Sequence, residues 1–286
     1  MPKFARIADA SGRGARWVMA QGNELVALDG LVPAGADDIT AFLALSGGAA
    51  AAAAAKGERI DPAKARWLMP IGRPGKVICL GLNYAAHAAE GGNATPEYPA
   101  FFMRGTSSLI PHGAPLVRPR ASDKLDFEAE LAVVIGKRAR HLTMDNALDV
   151  VAAYSCFNDG SVRDYQRKST QWTIGKNFDA TGPFGPWLVP AGDLPPGAKG
   201  LHIESRLNGQ VMQSDNTSNM IVSTAYALTL LSEALTLEPG DVIAMGTPSG
   251  VGYARKPPVF MKAGDTVEIE IEGIGVLSNP IVEEQE

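Results

Sequence analysis

The segment LDFEAELAVVIG, residues 125–136, constrains this chain more than any other stretch. It opens with alternating polar and apolar residues and then runs fully apolar through AVVIG, the pattern of a strand whose far end is buried on both faces. A period of two sends Phe127, Ala129 and Leu131 to one face and Asp126, Glu128 and Glu130 to the other. Two glutamates therefore stand side by side at the mouth of a core. Buried like charges cost several kcal/mol unless a proton or a cation intervenes. A hard divalent cation such as Mg²⁺, Mn²⁺ or Ca²⁺, which prefers oxygen ligands, resolves the conflict.

The competing reading of such a pair is a solvated acidic stripe. The tail holds the comparison: Glu268, Glu270 and Glu272 also alternate, but apolar residues occupy only the opposite face, so these three are read as solvent-facing. A third metal ligand is expected, and Asp159 is assigned to it. It follows the apolar run VVAAYSCF, opens an expected helix, and would present its carboxylate at a strand end.

Around this segment the chain divides in two. Residues 1–30 alternate like paired strands, with a turn at Gly22-Asn23. Asp37-Asp38 can cap a helix through ITAFLALSGG, and the seven alanines 49–55 extend helical propensity to Gly57. GERIDPAKARWLMPIGRPGK has the composition of a surface connector, so a small amino-terminal domain is expected over 1–71 and a catalytic domain over 72–286. In the latter, KVICLG reads as a buried strand, NYAAHAAE as a short helix, and LHIESRL and QVMQS as a hairpin about Asn208-Gly209. STAYALTLLSEAL reads as an amphipathic helix, and DTVEIEIEGIGVLSNPIV as one half-solvated strand. Strands outnumber helices without βαβ alternation, which predicts an α+β, predominantly β fold.

Other residues group around the acids. Asn83 can cap the helix YAAHAAE and set His87 and Glu90 three apart on one face, where the carboxylate can support the imidazole as a base. A helix-end histidine without a chemical role fits the same spacing. Gly91-Gly92-Asn93 after it suggests a lid. GTPSGVG, residues 246–252, can aim backbone N–H groups at an anion, with Thr247 adding a hydroxyl, although most such sequences are plain turns. It matches neither a Walker nor a dinucleotide fingerprint. Arg163, Gln166 and Lys176 follow Asp159 and suit a carboxylate substrate, whereas Arg167 and Lys168 read as surface charge. Tyr84, Phe101, Phe102, Arg104 and Tyr253 are candidate pocket residues, Arg104 hinting at a second anionic or hydroxylated group on the substrate.

The formal charge of −5 over 286 residues argues against a nucleic-acid or acidic-membrane partner. Cys79 and Cys156 lack the spacing of a zinc or redox site and read as buried thiols. No stretch approaches the roughly 20 apolar residues of a spanning helix, and a cytoplasmic address is expected.

Taken together, GLNYAAHAAE, LDFEAELAVVIG, FNDGSVRDYQ, GKNFDATGPFGP, LNGQVMQ, LEPGDVIAMGTPSGVG and KAGDTVEIEIEGIG resemble the fumarylacetoacetate hydrolase superfamily over roughly residues 72–282, with an amino-terminal part like the short prefix of bacterial members. The resemblance implies a mixed β-sandwich roll, usually a homodimer, with Mg²⁺ or Mn²⁺ held by Glu128, Glu130 and Asp159. It further implies that His87 and Glu90 activate water, with Lys176 in the catalytic set, and that Arg163, Gln166, Lys176 and Thr247 make substrate or oxyanion contacts. The expected activity is hydrolysis of a C–C bond in a 2,4-diketo, acylpyruvate-like acid. Decarboxylation or isomerisation of a 2-oxo acid at the same metal, or noncatalytic metabolite binding, stand as alternatives.

Overall fold

The computed structural model describes residues 1–47, 56–92, 94 and 97–285. The whole alanine run 49–55 and Asn93 of the expected lid lie outside the described residues. The fold is α+β and predominantly β, as expected.

Its centre is the strand Ala129–Ile135, every residue of which is buried. It pairs antiparallel on one side with Val151–Asn158 and on the other with Val242–Ala244. Alternation along it feeds two cores. Leu131, Val133 and Ile135 join a cluster containing Ile203, Leu228, Leu231, Ile269 and Leu277. Ala132 and Val134 join a second cluster with Phe4, Trp17, Phe42, Val77 and Phe184. The sheet is thus the middle layer of the molecule. One face is covered by a five-stranded sheet, which contains His202–Leu207, Thr266–Ile271 and Gly275–Glu283, and by the helix Thr224–Ala234. The other is covered by the amino-terminal helix Asp38–Ser46, which Asp37 caps by accepting from the Thr40 N–H at 2.8 Å.

The amino-terminal strands lengthen this same sheet. Ala15–Gln21 and Glu24–Ala27 form the expected hairpin about Gly22-Asn23. Phe4–Ala8 pairs with that hairpin and also with Gly182–Pro190, at Phe4 opposite Leu188. Residues 1–71 therefore share both hydrogen bonds and core with the rest of the chain.

Two readings of the sequence need correction. The tail 265–282 is not one strand but a hairpin, Thr266–Ile271 and Gly275–Glu283, turning at Gly273 with φ +77°. Side-chain alternation continues across the turn and hides it. Its outward glutamates do face water, and Glu268 and Glu270 close on Arg206 at 3.0 and 2.7 Å. Asp159 does not open a helix: it sits beyond the end of Val151–Asn158, and a short strand, Ser161–Val162, precedes the helical turn Arg163–Gln166. Among the described residues no helix is long and apolar enough to cross a membrane.

Candidate metal centre and active site

Register brings the three acids together. Ala129 lies opposite Asn158, so the next residue outward on each strand, Glu128 and Asp159, meet at the sheet end, where the Asp159 N–H donates to the Glu128 carbonyl at 3.0 Å. Glu128, Glu130 and Asp159 are buried, and one carboxylate oxygen from each lies within 4.8 Å of the others. The set is all-oxygen and compact, which fits a hard cation such as Mg²⁺ or Mn²⁺. Electrostatics say the same. Burial, then Asp159 and Glu128, push the Glu130 carboxyl well above the ordinary carboxylate range. The Gly246 N–H donates to it at 2.9 Å. Burial alone would raise Glu128 too, but Lys176, Arg163 and His87 bring it down to about 2.

The neighbouring cations are fixed. Lys176 Nζ lies 2.6 Å from Glu128 and 2.5 Å from Asp159. Arg163 reaches Asp126 at 2.8 Å, Glu128 at 2.7 Å and Gln166 at 2.9 Å. Its Nη2 is buried without a hydrogen-bond partner among the described residues.

Opposite the acids, the helix Ala85–Glu90 holds His87, whose Nδ1 lies 2.8 Å from Glu90 Oε1. Asn83 does not cap this helix. Tyr84 occupies the cap position, and the Asn83 amide is buried, donating to the Met245 and Val222 carbonyls at 2.6 and 3.0 Å. It ties the strand before the dyad to Val242–Ala244 and to the chain before the long helix.

GTPSGVG does direct backbone N–H groups at anions, and those anions belong to the site. The Gly246 N–H donates to Glu130, the Gly250 N–H to Glu90 at 2.8 Å, and the Gly252 N–H to Asp126 at 2.8 Å. One loop thereby orders an acid of the buried cluster, the partner of the histidine and the partner of Arg163. Thr247 faces the cleft, its hydroxyl accepting from Gln213 Nε2 at 2.7 Å.

His87, Glu128, Glu130, Asp159, Arg163, Lys176 and Thr247 share a cleft of about 450 Å³, lined also by Leu80, Phe102, Gln166, Trp172 and Tyr253. Arg104 is not in it. That residue is 3% exposed and lies behind the acids, giving Nη1 to Asp159 at 2.5 Å and Nη2 to Thr181 at 2.8 Å. It braces Asp159 from behind and does not line the cleft. Tyr84 is likewise buried, and Phe101 packs against the core. Conversely, Arg167, read as surface charge, lines the cleft and stacks on Tyr253, while Lys168 lies over the Tyr165 ring. Local sequence assigns Trp172 and Gln213 no site role and reads Asn83 as a helix cap. Trp172 fits because Gly81 has no side chain: a Cβ there would lie 2.1 Å from the indole.

The family model for the fumarylacetoacetate (FAA) hydrolase C-terminal domain matches residues 76–282. The chain belongs to the fumarylacetoacetate hydrolase family. A bovine mitochondrial protein named oxaloacetate tautomerase FAHD2A is 44% identical to this family member over 218 residues, 76% of this chain and 69% of that one. The fumarylacetoacetate hydrolase of Exiguobacterium antarcticum superposes with a TM-score of 0.85 at 34% identity, covering 99% of this chain and 100% of that one. The maleylpyruvate hydrolase of Sphingobium, solved with manganese(II) and pyruvate, gives 0.82 at 29% identity with the same coverage. The family supports an enzyme acting on a small-molecule keto acid.

Proposed function

We propose that this chain is a divalent-metal-dependent hydrolase that cleaves a C–C bond in a small 2,4-diketo, acylpyruvate-like acid, giving a 2-oxo acid of the pyruvate type and a carboxylic acid. The observation that carries the reading is His87, paired with Glu90, lining one cleft with three buried, mutually close carboxylates. Mg²⁺ or Mn²⁺ held by Glu128, Glu130 and Asp159 would act as a Lewis acid toward the 2-oxo acid, and manganese with pyruvate in the Sphingobium hydrolase supports this.

Each residue then has a task. Glu90, itself anchored by the Gly250 N–H, orients His87 to take a proton from water. The resulting hydroxide adds to the distal carbonyl. The bond between that carbon and the next one breaks, its electron pair leaves as the enolate of the 2-oxo acid, and the proton on His87 returns to the enolate carbon. Lys176 contributes fixed positive charge beside developing oxyanions. The unpartnered Arg163 Nη2, with Gln166 and Thr247 nearby in the cleft, offers a donor for the substrate carboxylate. Leu80, Phe102 and Trp172 supply an apolar wall for an acyl group.

The 44% identity to a protein named oxaloacetate tautomerase favours a second reading, proton transfer between keto and enol forms at the same centre. Incubation of the metal-loaded protein with acylpyruvates and with oxaloacetate, read by mass spectrometry and by enol absorbance, separates the two. Hydrolysis requires cleavage products that vanish with chelator and in Glu128→Ala, and that fall by about 10²–10⁴-fold in His87→Ala. Intact acylpyruvates beside accelerated enol–keto exchange of oxaloacetate would replace hydrolysis with tautomerisation.

A further inference from the structure

Gln213 does not line the cleft, yet it is bonded to two of the segments that build it. It lies on the strand Gln210–Asn216, whose pairing with His202–Leu207 slips: Ser205 stands opposite Gln213 and Arg206 opposite Val211, so Met212 is an extra residue. Such a bulge re-aims the side chains beside it. The Gln213 amide is buried, and all four of its hydrogen bonds are made. Its Oε1 accepts from the Ala129 N–H at 3.0 Å and from the Ser205 hydroxyl at 2.8 Å. Its Nε2 donates to the Thr247 hydroxyl at 2.7 Å and to the Pro248 carbonyl at 2.8 Å. Ala129 is the residue between Glu128 and Glu130.

Two of these partners dictate the other two. A backbone N–H only donates and a carbonyl only accepts, so Ala129 and Pro248 fix which end of the amide is oxygen and which is nitrogen. The nitrogen faces Thr247, whose hydroxyl must therefore accept. Its own proton is left over. Among the described residues no acceptor takes that proton, and Thr247 lines the cleft together with His87 and Lys176.

We propose that Gln213 is a positioning residue that holds the Thr247 hydroxyl as a hydrogen-bond donor toward an oxygen of the bound substrate. In the same contacts it ties the loop 246–252 to the strand that carries two of the buried acids. This rests on the reading of the cleft as a site for small 2-oxo acids.

A double-mutant cycle, read by calorimetric titration of the full Mg²⁺-loaded chain with pyruvate, tests this. Thr247→Val keeps the shape without the hydroxyl and is expected to weaken pyruvate about tenfold, the scale of a hydrogen bond to a charged acceptor. Gln213→Glu keeps an acceptor for Ala129 and Ser205 but sets a carboxyl oxygen against Thr247, which draws the hydroxyl proton away from the cleft. Pyruvate is again expected to weaken about tenfold. Any direct effect of the new charge is the same with and without the hydroxyl and cancels in the cycle, so the loss should be at least about fivefold smaller in the Thr247→Val background. Gln213→Met, which keeps the volume and removes every bond of the amide, should couple to Thr247→Val in the same sense and serves if Gln213→Glu does not fold. Unaltered affinity in Thr247→Val or in the Gln213 variants, or equal losses with and without the hydroxyl, overturns the assignment and leaves the 2-oxo acid reading standing. Absence of pyruvate binding by the wild type overturns that reading, and the inference with it.

Discussion

Glu130 shows how a single side chain records what a site is built to hold. Burial and two neighbouring acids keep its carboxyl in the protonated form far above the usual range, so without a cation the folded chain retains a proton that the unfolded chain has released. Its contribution is complete below the unfolded value near 4.5 and is lost as pH rises through the higher folded value. In chelator, the wild type should therefore lose stability relative to Glu130→Gln as pH rises above that range, and the variant should melt a few degrees higher at neutral pH. Added Mg²⁺ should raise the melting temperature of the wild type but not of Glu130→Gln. Thermal melts across pH, with and without the ion, check both; a variant less stable than wild type in chelator at every pH would contradict the argument. Arg104 makes the opposite case, because its charge balances Asp159 where neither reaches water. Arg104→Met should cost up to about 3–5 kcal/mol, since it leaves the buried Asp159 with Lys176 alone, a cation that Glu128 shares. Denaturant titration reads this directly. Glu128 and Glu130 were legible in the sequence because strand alternation fixes which residues share a face, whereas Asp159 was placed on a helix it does not open. Arg104 was misassigned because sequence does not say whether a basic side chain lies in front of a sheet end or behind it.

At the level of elements, the loop 246–252 does most to position the site, and its glycines explain why. Gly250 adopts φ +103°, and a Cβ there would stand 2.4 Å from the Met212 carbonyl oxygen. Gly250→Ala should therefore shift the loop and detach its N–H from Glu90, leaving His87 without a fixed partner. Turnover is expected to fall by about 10²-fold or more, the scale of a displaced base. Cation binding is expected to survive, because Gly246 holds Glu130 from the other end of the loop. Kinetics together with a cation titration separate the two effects, and equal loss of both would mean that the loop acts as one unit. The sequence revealed this loop as glycine-rich and suited to anions, but not that its anions are the chain's own. That assignment depends on contacts 116 and 160 residues apart in sequence, which no local pattern carries. The same limit applies to the tail hairpin, where unbroken alternation hid a turn that Gly273 and Gly275 mark. Hairpins with a strong local signal, at Gly22-Asn23 and Asn208-Gly209, were legible.

Across the whole molecule, the two cysteines report on whether the amino-terminal unit is energetically separate from the catalytic part. Composition suggested a seam near residue 72, yet Phe4 pairs with Leu188, and Phe42, Trp17 and Phe184 share one core. Cys79 lies in that shared core, whereas Cys156 lies in the core on the other side of the central sheet. Burial raises both thiols, Cys156 to about 12, so neither reacts as a thiolate until it is exposed. If the amino-terminal unit opened independently, a thiol reagent would modify Cys79 well before Cys156. The continuous sheet argues instead for one cooperative transition, in which both thiols label together at the rate of global unfolding. Phe42→Ala, which empties an aromatic site packed against Phe4 and Trp17, should cost about 3–5 kcal/mol. It should raise the opening equilibrium for Cys79 and Cys156 by the same factor, although Cys156 belongs to the other core. Mass spectrometry of the two cysteine peptides under mild denaturant measures this. Faster labelling of Cys79 alone would place a real energetic boundary at the connector and make the metal centre independent of the unit that precedes it.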